Sequence, residues 1–242
     1  MGETGGVRTV VAPAKLTLSL RVVGVRRRDG YHLIESEMVT VDLADELAFG
    51  EGDGLVVSGP AAAGVPEGDR NLVTRALAVV GREASVRLVK RIPAGAGLGG
   101  GSADAAAVLR WAGCSDAAVA AGLGADVPFC LVGGRAEVSG VGERVEPLPF
   151  EDRTFTLLTP PFGAATAAVY QAWDDLGGPR GDNGNDLEPA ALAVAPGLAT
   201  WRDQLAEVAG ARPRLAGSGS TWFVEGEFPG EGRVVVRTVR AG

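Results

Sequence analysis

The chain has 242 residues, 46% of them hydrophobic and 22% charged, with a formal net charge of -7. That length holds one large domain or two small ones, and the composition is that of a globular protein with ample apolar material to bury. The acidic balance argues against general binding to nucleic acid or to an anionic membrane surface, while leaving room for a small anionic ligand held by a local field.

The start, "MGETGGVRTVV", has no charged-then-apolar signal pattern. No apolar run reaches the ~20 residues of a membrane span. "RTVVAPAKLTLSLRVVGV" is rich in β-branched residues and leucine and predicts strand, interrupted at Pro13. "RRRDGYH" is a basic turn with Asp29-Gly30 as its reversal signal. "ESEMVTVDLADELAF" and "GLVVSG" predict further strands, and "PAAAGVPEGDR" a loop. In "NLVTRALAVVGR" the apolar residues Leu72, Val73, Ala76, Leu77 and Val80 share one helix face. "ASVRLVKRI" alternates as a strand does.

"RIPAGAGLGGGSADAAAVLRWAG" then sets glycine at 95, 97, 99, 100 and 101 hard against an alanine-rich run. Glycine is the poorest ordinary helix former and alanine the best, so a pliable loop feeds a firm helix. The first turn of a helix leaves backbone N–H groups unpaired, and its dipole favours an anion there. Glycines let those amides close on a phosphate. Ser102 serves either as helix cap or as a hydroxyl for a phosphate or its metal. No Lys-Ser or Lys-Thr follows the glycines, which excludes a Walker A loop. The parallel strand–helix–strand setting of a dinucleotide fingerprint is not expected either.

Short helices are predicted at "DAAVAAGL" and from "ADVPFCLVGG", and a hairpin at "RAEVSGVGERVEPL". The pattern resets near Pro147–Asp152, which places a domain boundary there and divides the chain into residues 1–149 and 150–242. Beyond it come a strand at "TFTLLTPP", a helix at "AATAAVYQAWDDLG", a polar loop at "GGPRGDNGND", and helices at "DLEPAALAVA" and "PGLATWRDQLAEVAG". "PRLAGSGSTWFVEG" predicts strand, turn, strand, and "GRVVVRTVR" a closing strand. Hairpins mixed with helices favour an α+β fold. Cys114 and Cys130 lack metal-ligand spacing, and His32 is the single histidine. Both thiols are therefore expected to be buried in a reducing cytoplasm.

"PAGAGLGGGSADAA" resembles the phosphate-binding motif of the GHMP small-molecule kinases in its Pro93-x-x-x-Gly97-Leu98-Gly99 core. "PAKLTLSLRVVGVRRRDGYHLIESEM", "GADVPF" and "LAGSGSTWFVE" resemble, in order, motifs of one family within that superfamily, the 4-diphosphocytidyl-2-C-methyl-D-erythritol kinases of non-mevalonate isoprenoid synthesis. The Asp29-Gly30-Tyr31-His32 element is particular to that family. The resemblance implies a two-domain GHMP fold, with an N-terminal domain like ribosomal protein S5 and a ferredoxin-like C-terminal domain. Only "GEFPGEG" separates the last two strands where relatives carry a helix, so the second domain is shortened.

The implied activity is ATP-dependent phosphorylation of a small alcohol, with Mg2+ offsetting phosphate charge. Asp126 is the implied base, although Asp two residues before Pro128 is also a good helix N-cap. Lys15 is its implied electrostatic partner, the alternative being a strand-edge lysine with its head in water. ATP is expected along Pro93, Gly95, Gly97, Leu98, Gly99, Gly100, Gly101 and Ser102, with Asn71 and Lys90 on the adenine side; Asn71 has a competing cap role. Ser102 is the expected metal contact. Tyr31 and His32 are implied at the cytidine end, with Tyr170 as a second stacking ring whose plain alternative is helix packing. Arg26, Arg27 and Arg28 suit a diphosphate or a solvated turn. Gly217 and Ser218 close the acceptor site. Thr17 stands where the family has asparagine, and Asp104 replaces an asparagine often found there. Another GHMP kinase, for mevalonate, homoserine or a sugar, and an inactive binding member of the fold are the rival readings. A small-molecule substrate, no nucleic-acid or membrane partner, and a monomer or weak homodimer complete the expectation.

Overall fold

The computed structural model describes residues 7–241. The signal-peptide expectation rests partly on residues 1–6, which lie outside them. Strand β1 (Arg8–Val25) and strand β2 (His32–Gly50) form a long antiparallel hairpin closed by the Arg26–Tyr31 turn. Pro13 does not split β1, as the sequence suggested. The strand continues past it, with the register shifting between Pro13 and Lys15. Among the described residues β1 pairs in this sheet with β2 alone, so a residue without an N–H costs no ladder bond on its other edge.

The far edge of β2 pairs with β5 (Arg135–Gly140) over Ile34–Val39 and with β4 (Ser85–Val89) over Glu46–Gly50. β3 (Leu55–Ser58) lies parallel to β4 and is joined to it through α1 (Leu72–Val79). This crossover, immediately ahead of the glycine loop, is a parallel unit that the sequence reading did not anticipate. β6 (Arg144–Pro147) completes a six-stranded sheet. α2 (Gly100–Ala112) packs across β1 and β2, flanked by α1, α3 (Ala117–Leu123) and α4 (Val127–Val132). Its alanines at 103, 105, 106 and 107 are fully or almost fully buried, which is why this helix is slim.

After Pro147 the chain enters a second, four-stranded antiparallel sheet. Its order is β10 (Arg233–Arg237), β7 (Thr154–Leu158), β9 (Trp222–Glu225), β8 (Arg214–Leu215). Helices α5 (Thr166–Asp175), α6 (Glu188–Val194) and α7 (Leu198–Ala209) pack with it around Leu187, Leu198, Leu205 and Trp222. Leu16, Leu18 and Val39 of the first sheet share a further core with Phe155, Leu157 and Phe223 of the second. The architecture is an α+β arrangement of two sheets that meet over common apolar ground, as the resemblance implied.

The segment between β9 (Trp222–Glu225) and β10 is a pinned loop. Phe228 packs on the second core, its N–H donates to Thr156 Oγ1, and the Arg233 guanidinium donates to the Phe228 and Pro229 carbonyls. Of the two thiols, Cys130 is buried and its ionisation is pushed up to about 12, chiefly by desolvation. Cys114 is only half-buried, against expectation, because it follows the end of α2 at the margin of the core. No helix among the described residues is long and apolar enough to cross a membrane.

Candidate active site

A single cavity of about 880 Å3 lies where the glycine loop, the β1–β2 hairpin, α4, α5 and the Gly217 turn converge. The expected catalytic, ATP-side and acceptor-side residues lie on its wall, from Lys15 and Thr17 to Gly217 and Ser218, whereas Arg26, Arg27 and Arg28 do not.

The loop is built as the glycine pattern implied. Its carbonyls are held by protein: Lys15 N–H donates to Leu98 O at 3.0 Å and Thr221 N–H to Ala96 O at 3.1 Å. The amides from Gly97 to Ser102 have no partner among the described residues. α2 begins at Gly100 with Gly99 in the N-cap position and no side-chain cap. Ser102 therefore does not cap the helix, and its hydroxyl and the first amides remain for a ligand. Two glycines are obligatory. Gly97 has φ +77°, and a Cβ there would lie 2.3 Å from the Ala216 carbonyl oxygen. At Gly99, φ +68°, a Cβ would lie 2.7 Å from the Lys15 stem.

Lys15 is 5% exposed, which removes the reading of a strand-edge lysine in water. Its ammonium donates to Thr17 Oγ1 at 3.0 Å and stands 3.3 Å from Asp126 Oδ2. An ammonium carries three donors, so one is left without a protein acceptor among the described residues. The Asp126 side chain is 32% exposed and makes no cap hydrogen bond to α4. The N-cap explanation of this aspartate is thus absent from the structure, and its carboxylate is free to meet a proton. Thr17, shorter than asparagine, still supplies the acceptor that orients Lys15.

Lys90 departs from the expectation of an adenine contact. Its ammonium is buried between Asp45 and Asp104, bonding Asp45 Oδ2 closely and Asp104 Oδ2 at 2.7 Å. Asp45 Oδ1 accepts the N–H groups of Arg91 and Ile92. This cluster ties β2 to the start of the loop and to α2, so Lys90 braces the cradle from beneath. Two carboxylates share one ammonium, and Asp104 Oδ1 has no partner among the described residues. Burial, opposed by Lys90, raises the Asp104 pKa to about 7. Asn71 does cap α1: its Oδ1 accepts Val73 N–H at 2.9 Å and its Nδ2 donates to Pro66 O at 2.8 Å. It borders the cavity as well.

At the other end, Tyr31 is 62% exposed, with the Arg26 guanidinium 5.5 Å from its ring centroid. Arg26 and Arg28 both pair with Asp29, so the turn is held by its own charges. Tyr170 stacks on His32, and desolvation raises the pKa of its hydroxyl. The Gly217 turn is fastened by Asn185, whose Nδ2 donates to Leu215 O and Gly217 O at 2.8 and 2.7 Å. Ser218 meets Thr166 at 2.9 Å. Sequence reasoning missed Asp45, Thr166 and the supporting role of Asn185; the "NDLEP" run containing Asn185 was the one available signal.

Among the described residues no three His, Cys, Asp or Glu side chains gather as a metal site. A divalent cation here would be held through a ligand's phosphates, with the Ser102 hydroxyl as the protein contact.

Comparison with known proteins shows the family and the fold. The family model "GHMP kinases N terminal domain" matches residues 71–134. A 4-diphosphocytidyl-2-C-methyl-D-erythritol kinase of Paracoccus denitrificans is 40% identical over 236 residues, covering 89% of this chain and 86% of its own. The crystal structure of a 4-(cytidine 5'-diphospho)-2C-methyl-D-erythritol kinase superposes with a TM-score of 0.74 at 32% identity, covering 97% of this chain and 100% of that one. A homoserine kinase from Cytophaga hutchinsonii shares the fold at a TM-score of 0.59 and 19% identity, covering 100% of this chain and 97% of its own.

Proposed function

Because the chain belongs to the 4-diphosphocytidyl-2-C-methyl-D-erythritol kinase family of GHMP kinases, we propose that it transfers the γ-phosphoryl group of ATP to the 2-hydroxyl of 4-diphosphocytidyl-2-C-methyl-D-erythritol. Phosphoryl transfer needs positioning and charge neutralisation more than covalent chemistry. The free amides of Gly97–Ser102 and the dipole of α2 hold the triphosphate. Asp126 takes the proton of the acceptor hydroxyl. As that oxygen bonds to the γ-phosphorus, the bond to the β–γ bridging oxygen breaks and ADP leaves. Lys15 keeps Asp126 ionised and has a donor to spare for the developing charge. Mg2+, when bound beside Ser102, supplies further neutralisation of the phosphates. Tyr31, His32 and Tyr170 hold the cytidine end, and Asn71 borders the adenine end.

The observation that carries this reading is the pairing of Lys15 with an uncapped Asp126 in the cavity that also receives the unpaired amides. It also speaks against an inactive binding member of the fold, which has no need of a buried ammonium beside an open carboxylate. The likeness to homoserine kinase is one of fold alone. We place the enzyme in the cytoplasm as a monomer or weak homodimer, divided into residues 1–149 and 150–242. The test is ATP consumption against a panel of acceptors. Rapid turnover is expected only with the cytidine diphosphate handle present. Equal turnover of mevalonate, homoserine or an uncytidylated methylerythritol contradicts the assignment.

A further inference from the structure

Asp174 lies on α5, one turn beyond Tyr170, and its Oδ1 stands 2.9 Å from Nε2 of His32. A carboxylate accepts hydrogen bonds and donates none. The ring proton of a neutral His32 therefore sits on Nε2, and Nδ1 is left as a bare acceptor. The ring is clamped on other sides. Tyr170 stacks on it with centroids 4.7 Å apart, and Trp173 meets it edge-on at 5.5 Å. Trp173 is itself anchored, its Nε1–H donating to Pro179 O at 2.9 Å. Nδ1 has no hydrogen-bond partner among the described residues, and His32 is one of the residues that line the cavity.

We propose that Asp174 is a positioning residue that fixes the tautomer of His32, so that Nδ1 accepts from the exocyclic amino group of cytosine and refuses the carbonyl that uracil carries in its place. The inference rests on the cytidine-linked acceptor proposed above. A lone pair set against an amino group gains a hydrogen bond. Set against a carbonyl oxygen, it leaves two acceptors facing each other with no proton between them. A site built around one donor rejects the analogue that lacks it far better than an apolar pocket can. Without Asp174 both tautomers become available, and the Nδ1–H form accommodates uracil.

His32 is the chain's single histidine, so 15N-histidine labelling reports this ring alone. The wild-type protein is expected to show a protonated Nε2 and a bare Nδ1. Asp174→Ala should show a mixture of tautomers, and Asp174→Asn, whose amide oxygen still accepts, should keep the wild-type one. Asp174 is 45% exposed, so neither change empties a core position. In steady state, Asp174→Ala should raise KM for the cytidylated acceptor about tenfold with kcat nearly unchanged, and narrow the preference over a uridylated analogue by a similar factor. Asp174→Asn should restore that preference. A wild-type ring protonated on Nδ1, a doubly protonated ring, or an unchanged preference in Asp174→Ala overturns the proposal. Failure of the wild-type enzyme to use any cytidylated acceptor instead overturns the function beneath it, and the labelled ring distinguishes the two cases because its reading needs no acceptor.

Discussion

The two ends of the cavity are built from different materials. At the end proposed for the phosphates the groups on offer are unpaired backbone amides, and the side chains around them are bonded to one another: Lys15 to Thr17 and Asp126, Lys90 to Asp45 and Asp104. At the end proposed for cytidine the groups on offer are side chains brought from two distant segments, the β1–β2 turn and α5, with Tyr31 largely in solvent. A phosphate is a fixed tetrahedral anion, and rigid amides suit it. A base is a flat ring with an edge code, which needs stacking faces and one nitrogen in a defined state. Changes at the first end should therefore act on donor binding and the chemical step, and changes at the second on acceptor KM and selectivity.

The largest expected effect lies between the two ends. Asp126→Asn should lower kcat by about 10^2 to 10^4, the range of a lost general base, with nucleotide affinity nearly intact. Rapid-quench turnover beside a nucleotide titration checks it, and wild-type turnover would remove Asp126 from the chemistry. Gly97→Ala comes next. It forces a side chain into a left-handed backbone and against the Ala216 carbonyl, a strain of about 1–3 kcal/mol. Nucleotide affinity should fall at least tenfold or so, and the melting temperature by about 2–4 °C per kcal/mol. A variant that binds and melts normally would show the loop to be pliant rather than preformed.

Tyr31→Ala should raise acceptor KM by about tenfold through lost stacking, leaving kcat and melting temperature alone because the ring is mostly exposed. An equal loss in nucleotide affinity would erase the distinction between the two ends. The smallest effect is a pH dependence. Burial holds the Asp104 pKa at about 7, well above the usual carboxylate range, so the folded protein binds more protons than the unfolded chain between that range and pH 7. Stability linked to this group is present below that window and is lost as pH rises through 7. In nucleotide-free protein, Asp104→Asn should melt higher than wild type at pH 8, with the gap closing toward pH 5. A constant gap would mean that Asp104 does not titrate there.

The same contrast explains what could be read in the sequence. The phosphate cradle announces itself because only glycine tolerates its angles and its close approach to Ala216 and Lys15, so the composition carries the geometry. The order of hairpins and helices is legible for a related reason: alternation and helical spacing are local. The ion pairs of Lys90 were not legible because its partners, Asp45 and Asp104, are set by the meeting of β2 with α2, and nothing near Lys90 in the chain reports them. Asp174 was invisible on the same ground, since its meeting with His32 depends on how the second sheet's helix docks on the first hairpin. Pro13 misled in the opposite direction. It breaks a strand with neighbours on both sides, and here the unpaired edge absorbs it.

The central claim is that the open amides at the mouth of α2 hold the phosphates facing Asp126 and Lys15. A crystal structure with a non-hydrolysable ATP analogue and Mg2+ tests it most directly. The account predicts the terminal phosphates within hydrogen-bond distance of the Gly100–Ser102 amides, with Asp126 facing the γ-phosphoryl group across the remaining space. Phosphates bound away from those amides, or separated from Asp126 by more room than one alcohol can bridge, would contradict it.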